Sequence, residues 1–81
     1  MNRQEIIEKL TPICMEVFEN DELVLTDDMG VGSVDSWTSL TNMMLIAEIE
    51  QAFGFKFKLR ELPTLESIGS FVMAIEAHTQ E

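Results

Sequence analysis

Side chains that could do chemistry are few in this chain and mostly isolated. It has one cysteine, Cys14, and one histidine, His78, and neither has a suitable partner beside it in sequence. No nucleophile, base and orienting group therefore come together. The carboxylates Asp21, Glu22, Asp27 and Asp28 could attract a divalent cation, but they lack EF-hand spacing, and a solvated acidic loop is the simpler reading. Gly30-Val31-Gly32 lacks the third glycine and the preceding strand of a phosphate-cradling turn. What remains is a hydroxyl at Ser39, where a polar loop gives way to a long run with helical period. A hydroxyl at the start of a helix can cap it, with Thr38 or Ser39 in that role. It can also carry a phosphate-linked group, because a helix N-terminus favours an anion. Position alone does not choose between the two.

The elements that must position this hydroxyl follow from apolar spacing. Ile6, Ile7, Leu10, Ile13, Cys14, Val17 and Phe18 recur at three- and four-residue intervals, which predicts an amphipathic first helix from about Arg3 to Phe18. Pro12 removes the bond to the Glu8 carbonyl, so a kink or a divided helix is expected there. Glu19 to Ser36 reads as one long loop, with Leu23, Leu25 and Val34 as candidates to pack it down. The second helix runs from about Ser39 to Ala52 and ends at Gly54, which suits a left-handed C-cap. Its apolar arc is Leu40, Met43, Leu45, Ile46, Ile49 and Phe53; of the adjoining pair Met43 and Met44, one is expected at the rim.

Phe55-Lys56-Phe57-Lys58-Leu59 alternates like a strand, yet no second strand exists to pair with it. It is better read as an extended connection that inserts Phe55 and Phe57 into the core. A short helical turn over Leu59–Leu62 follows and is stopped by Pro63. The last helix runs from an N-cap at Ser67 to about His78, with Ile68, Phe71, Val72 and Ile75 inward, and Gly69 marking a close approach to a neighbouring helix. His78 is expected to meet the helix dipole or water rather than a metal.

Composition narrows the function classes. With 81 residues and a formal net charge of −10, the chain is one small domain that disfavours nucleic acid and anionic membranes, both of which reward Lys and Arg. Negative charge favours basic patches on protein partners. A single cysteine excludes an intrachain disulfide, and Cys14 beside an apolar stripe reads as a buried, inert thiol in a reducing compartment. The N-terminus has no apolar signal core, and no stretch is long enough to span a bilayer, so a cytoplasmic monomer is expected.

The order of helix, long loop, Ser39-Leu40 at the head of a second helix, Glu48-Ile-Glu-Gln-Ala-Phe-Gly54 at its end, a short third helix and a Ser67-Ile-Gly-Ser-Phe-Val72 fourth resembles the acyl carrier protein family over nearly the whole chain. It looks closest to stand-alone bacterial carriers with Trp two residues ahead of the serine, including specialised acyl carriers and D-alanyl carrier-like proteins. The resemblance implies an all-α, four-helix bundle over residues 1–81, with three main helices, one short third helix and a long loop between helices 1 and 2. It implies no enzymatic activity of its own. It also implies a 4′-phosphopantetheine arm, moved from coenzyme A by a phosphopantetheinyl transferase with Mg²⁺, whose thiol carries acyl or aminoacyl groups between loading and processing enzymes.

Two serines could take the arm, Ser36 in Asp35-Ser36-Trp37 and Ser39 in Thr38-Ser39-Leu40. The family's spacing to the closing Phe53-Gly54 matches when counted from Ser39; counting from Ser36 inserts nearly a full helical turn. Thr38 stands where the family usually has Asp, and Thr41, Asn42 and Met44 stand where acids are common. That points to a dedicated transferase or partner set. The resemblance makes Trp37, Thr38, Leu40, Met44, Glu48 and Glu50 the partner-docking residues. Met43, Leu45, Ile46, Ile49, Phe57 and Ile75 become candidates for an interior that shelters an acyl chain, although such residues are first of all core. A carrier-like module that is never modified and docks through its acidic second helix is the alternative.

Overall fold

The computed structural model describes residues 1–80. Helix α1, Arg3–Val17, begins at a reciprocal cap: the Asn2 side chain accepts from the Glu5 N–H at 2.9 Å and the Asn2 N–H donates to the Glu5 carboxylate at 3.0 Å. It buries Ile6, Leu10 and Cys14, one residue per turn. Pro12 does not divide it. Both Pro12 and Glu8 are exposed, so water can serve the carbonyl that lost its partner.

The loop to α2 is tied to the start of the last helix by backbone bonds. The Val31 N–H donates to the Glu66 carbonyl at 3.1 Å and the Ile68 N–H to the Met29 carbonyl at 2.8 Å, flanking an isolated antiparallel bridge between Gly30 and Ser67. A Cβ on Gly30 would lie 2.4 Å from the Glu66 carbonyl oxygen, so only glycine lets the two backbones meet. Gly69 also marks a close approach, but to this loop and not to a helix: its N–H donates to the Asp27 carbonyl at 3.0 Å. Leu23 is buried and Leu25 and Val34 pack beside it, as the loop's apolar residues predict.

Helix α2, Ser39–Phe53, ends at Gly54 with φ 76°, the left-handed cap its sequence calls for. An extended segment buries Phe57 and half-buries Phe55. It leads into a 3-10 helix, Leu59–Thr64, that continues past Pro63 rather than stopping before it. Proline's φ suits a helical turn, and bonds from Thr64 Oγ1 to the Glu61 carbonyl at 2.6 Å and from the Leu65 N–H to the Leu62 carbonyl at 3.2 Å hold the turn without its N–H. Helix α3, Ile68–Thr79, starts at Ser67, whose hydroxyl accepts from the Ser70 N–H at 3.2 Å.

The core forms where α1 packs on α2 and α3. Leu45 and Ile49 enter it from α2, Ile68, Phe71, Val72 and Ile75 from α3, and Phe18, Leu23, Trp37, Phe57 and Leu65 from the connections. The described residues thus form an all-α bundle of three α-helices and a short 3-10 helix, with no helix long and apolar enough to cross a membrane.

Candidate functional site at the head of α2

The start of α2 is built from hydroxyls. Thr38 is the N-cap, in extended backbone at φ −108°, and its Oγ1 accepts from the Thr41 N–H at 3.3 Å. Thr41 Oγ1 in turn accepts from the Thr38 N–H at 2.8 Å and donates to the Ser36 carbonyl at 2.6 Å. Threonine therefore plays the part that Glu or Gln takes in the usual capping box. The sequence carries this signal as Thr38-x-x-Thr41.

Because Thr38 caps the helix, Ser39 does not. Ser39 is the first helical residue, it is exposed, and among the described residues its hydroxyl has no hydrogen-bond partner. Ser36, by contrast, is half-buried in the turn that Thr41 holds.

Beneath this surface lies Trp37. It is 1% exposed, so it is not a docking residue, and its ring stacks on Phe18 with centroids 4.7 Å apart. Its Nε1–H donates to Asn42 Oδ1 at 2.9 Å, and Asn42 Nδ2 donates to the Leu65 carbonyl at 2.9 Å. A large apolar ring whose one polar atom has a partner is well placed inside. The chain Trp37–Asn42–Leu65 joins the loop, α2 and the segment before α3.

The other expected site residues separate into three groups. Leu40 and Met44 are exposed, as is Glu48. Glu50 is half-buried and turned inward, where its carboxylate accepts from the Phe57 N–H at 2.8 Å, so docking is not its main role. Leu45, Ile49, Ile75 and Phe57 are core. Met43 is not interior: it is 68% exposed, and with Met44 at 50% both methionines lie outside, because the inward face is taken by Leu45 and Ile49, which stand a turn apart from each other. Ile46 is half-buried and lines an open cleft of about 400 Å³ with Asn42, Met43, Leu62 and Pro63, between α2 and the 3-10 helix.

Neither of the other reactive side chains serves Ser39. Cys14 is buried, and loss of hydration pushes its thiol up to about 12. His78 lies in the last turn of α3, as the dipole reading has it, and its side chain also meets Glu61, Nε2 to Oε1 2.8 Å, and stacks on Phe55 at 4.5 Å. The Glu61 carboxyl is held below its ordinary value by the Lys58 N–H and by His78.

No family model matches the chain, and no curated protein matches it. Among solved structures, it is similar to the holo acyl carrier protein of Geobacter metallireducens, determined by solution NMR. The two share 35% identity over 88% of this chain and 82% of the other, with a TM-score of 0.80. With this fold and this degree of identity, the chain belongs to the acyl carrier protein family.

Proposed function

We propose that this protein carries acyl or aminoacyl intermediates as thioesters on a 4′-phosphopantetheine arm attached through Ser39 Oγ. The observation that carries the reading is the division of labour at the helix start: Thr38 caps, leaving the Ser39 hydroxyl exposed and uncommitted. The residues present suit such a group. A phosphodiester on the first helical residue would sit by unpaired N–H groups and the positive end of the helix dipole, a contribution of about 0.3–1 kcal/mol. No acidic side chain lies in the first turn of α2 to oppose it. The arm, when bound, supplies the thiol on which cargo rides.

The protein's own residues present and hold. Thr38 and Thr41 fix the backbone around Ser39, while Trp37 and Asn42 anchor that backbone to the core. Partners are a phosphopantetheinyl transferase and the enzymes that load and process the cargo, met by a cytoplasmic monomer that is not itself a catalyst. A second reading, an unmodified docking module, draws on Thr38 standing where the family usually has Asp. Incubation with coenzyme A, Mg²⁺ and a phosphopantetheinyl transferase, followed by intact-mass spectrometry, separates the two. A single phosphopantetheine adduct is expected. An unchanged mass with both a broad-specificity transferase and one from the host would favour the unmodified module.

A further inference from the structure

Asn42, Ile46 and Glu50 stand in register on one face of α2, each four residues from the next. The outer two are tied across to the segment that follows the helix. Asn42 Nδ2 donates to the Leu65 carbonyl at 2.9 Å, and the Glu50 carboxylate accepts from the Phe57 N–H at 2.8 Å. Phe57 precedes the 3-10 helix and Leu65 caps its C-terminal end, so that helix is strapped to α2 on both sides. Between the straps the contact is apolar and open. The cleft there is lined by Met43, Ile46, Leu62 and Pro63, with Asn42 at one end.

A cleft held this way lengthens only if a tie breaks. Swinging the 3-10 helix outward would strip the Leu65 carbonyl and the Phe57 N–H of their partners, in residues that are 1% and 8% exposed. A buried backbone group without a partner is costly. The Asn42 tie resists further, because Asn42 Oδ1 also holds Trp37 Nε1 at 2.9 Å and one movement would disturb both bonds.

We infer that these two ties set the longest cargo the protein shelters, making Asn42 and Glu50 specificity-determining residues for an aliphatic acyl chain of about eight carbons or fewer. The inference rests on Ser39 carrying the arm. Ser39 stands one turn before Asn42, so cargo folded back along α2 meets the cleft at its Asn42 end. From Asn42 to Glu50 the helix rises about 12 Å. With carbon–carbon bonds of about 1.5 Å set in a zigzag, that span takes roughly eight carbons. The side chains of Met43, Ile46, Leu62 and Pro63 suit methylenes and not a charged group. Carbons beyond the second tie stay in water.

The test uses the full chain, loaded by a phosphopantetheinyl transferase with butanoyl, octanoyl or tetradecanoyl arms from the corresponding acyl-coenzyme A. Intact mass checks loading, and the Tm of each form is read against the form with a free thiol. Wild-type Tm should climb by roughly 5 °C from butanoyl to octanoyl and gain less than about 1 °C more at tetradecanoyl. Asn42→Asp keeps an acceptor for Trp37 but cannot donate to Leu65, and Glu50→Ala frees the Phe57 N–H. In each, tetradecanoyl should add a further rise of roughly 3 °C or more. Glu50→Gln retains an acceptor and should keep the wild-type plateau. Residues that only stabilised the fold would lower every form alike and leave the dependence on chain length unchanged. A wild-type Tm that is indifferent to length or still rising at tetradecanoyl would overturn the inference and leave the carrier reading intact, as would a plateau that persists in both tie variants. If Asn42→Asp does not fold, Glu50→Ala decides alone on the same criterion. Failure of wild type to accept the arm from any transferase would overturn the carrier reading, and the inference with it.

Discussion

At its N-terminal end, α2 is held by directional hydrogen bonds: Thr38 with Thr41, Thr41 with Ser36, Trp37 with Asn42, and Asn42 with Leu65. At its C-terminal end it is held by rings. Phe55 stands edge-on to Phe57 at 4.9 Å and flat on His78 at 4.5 Å, Phe57 meets Phe71 at 6.5 Å, and Lys9 lies over Phe53 at 4.8 Å. The two modes leave different surfaces. Hydrogen bonds from below fix where Ser39 stands while leaving its hydroxyl and the side chains of Leu40 and Met43 bare. Ring packing at the other end buries Phe57 and half-buries Phe53 and Phe55, while Ala47, Glu48, Gln51 and Ala52 stay exposed. The open face of α2 is therefore apolar near Ser39 and carries Glu48 and Gln51 toward Gly54.

The largest test of this contrast is Trp37→Ala. Removing the indole should cost about 3–5 kcal/mol, by analogy with other buried aromatics. In a domain of this size that lowers Tm by roughly 12 °C or more in a thermal melt. If Tm scarcely moved, the N-terminal end would not be anchored as described. Gly30→Ala should follow at about 1–3 kcal/mol, because its Cβ would meet the Glu66 carbonyl oxygen at 2.4 Å. Denaturant titration reads this directly. Thr38→Ala should cost about 1 kcal/mol, the usual worth of a cap, and Thr38→Asp should restore most of it. No loss in Thr38→Ala would place the capping elsewhere.

The smallest effect belongs to the ring-bound end. Glu61 has its carboxyl lowered by the Lys58 N–H and by His78. Its contribution is therefore complete above the ordinary carboxylate value and fades as pH falls through the lowered one. Glu61→Gln should flatten the acid side of the stability profile and leave the neutral region almost unchanged. An unaltered acid limb would remove Glu61 from the account.

How far the sequence could be read differed between the same two ends. The helices were legible because α1 and α3 repeat their apolar residues on one face, and Gly54 marked the end of α2 plainly. Ser39's place at the head of α2 was legible too. Which residues of α2 point inward was not, because Leu40, Met43, Met44, Leu45, Ile46 and Ile49 surround the helix and periodicity cannot separate two apolar faces. The resemblance alone puts Trp37 on the docking surface; its burial depends on Phe18 and on Asn42, partners that local pattern does not reveal. The Gly30–Ser67 contact is likewise long-range. Pro12 does not divide α1 and Pro63 does not stop its turn, since an exposed carbonyl or a 3-10 turn absorbs the missing N–H.

The central claim is that Ser39, freed from capping, is the point of attachment. The most direct measurement is peptide mapping after phosphopantetheinyl transfer to wild type, Ser39→Ala and Ser36→Ala, with thermal unfolding of each. The account predicts one adduct on the Ser39 peptide of wild type and of Ser36→Ala. It predicts none on Ser39→Ala, whose stability should stay within about 0.5 kcal/mol of wild type because Thr38 keeps the cap. An adduct that persists in Ser39→Ala, or that moves with Ser36, would contradict it.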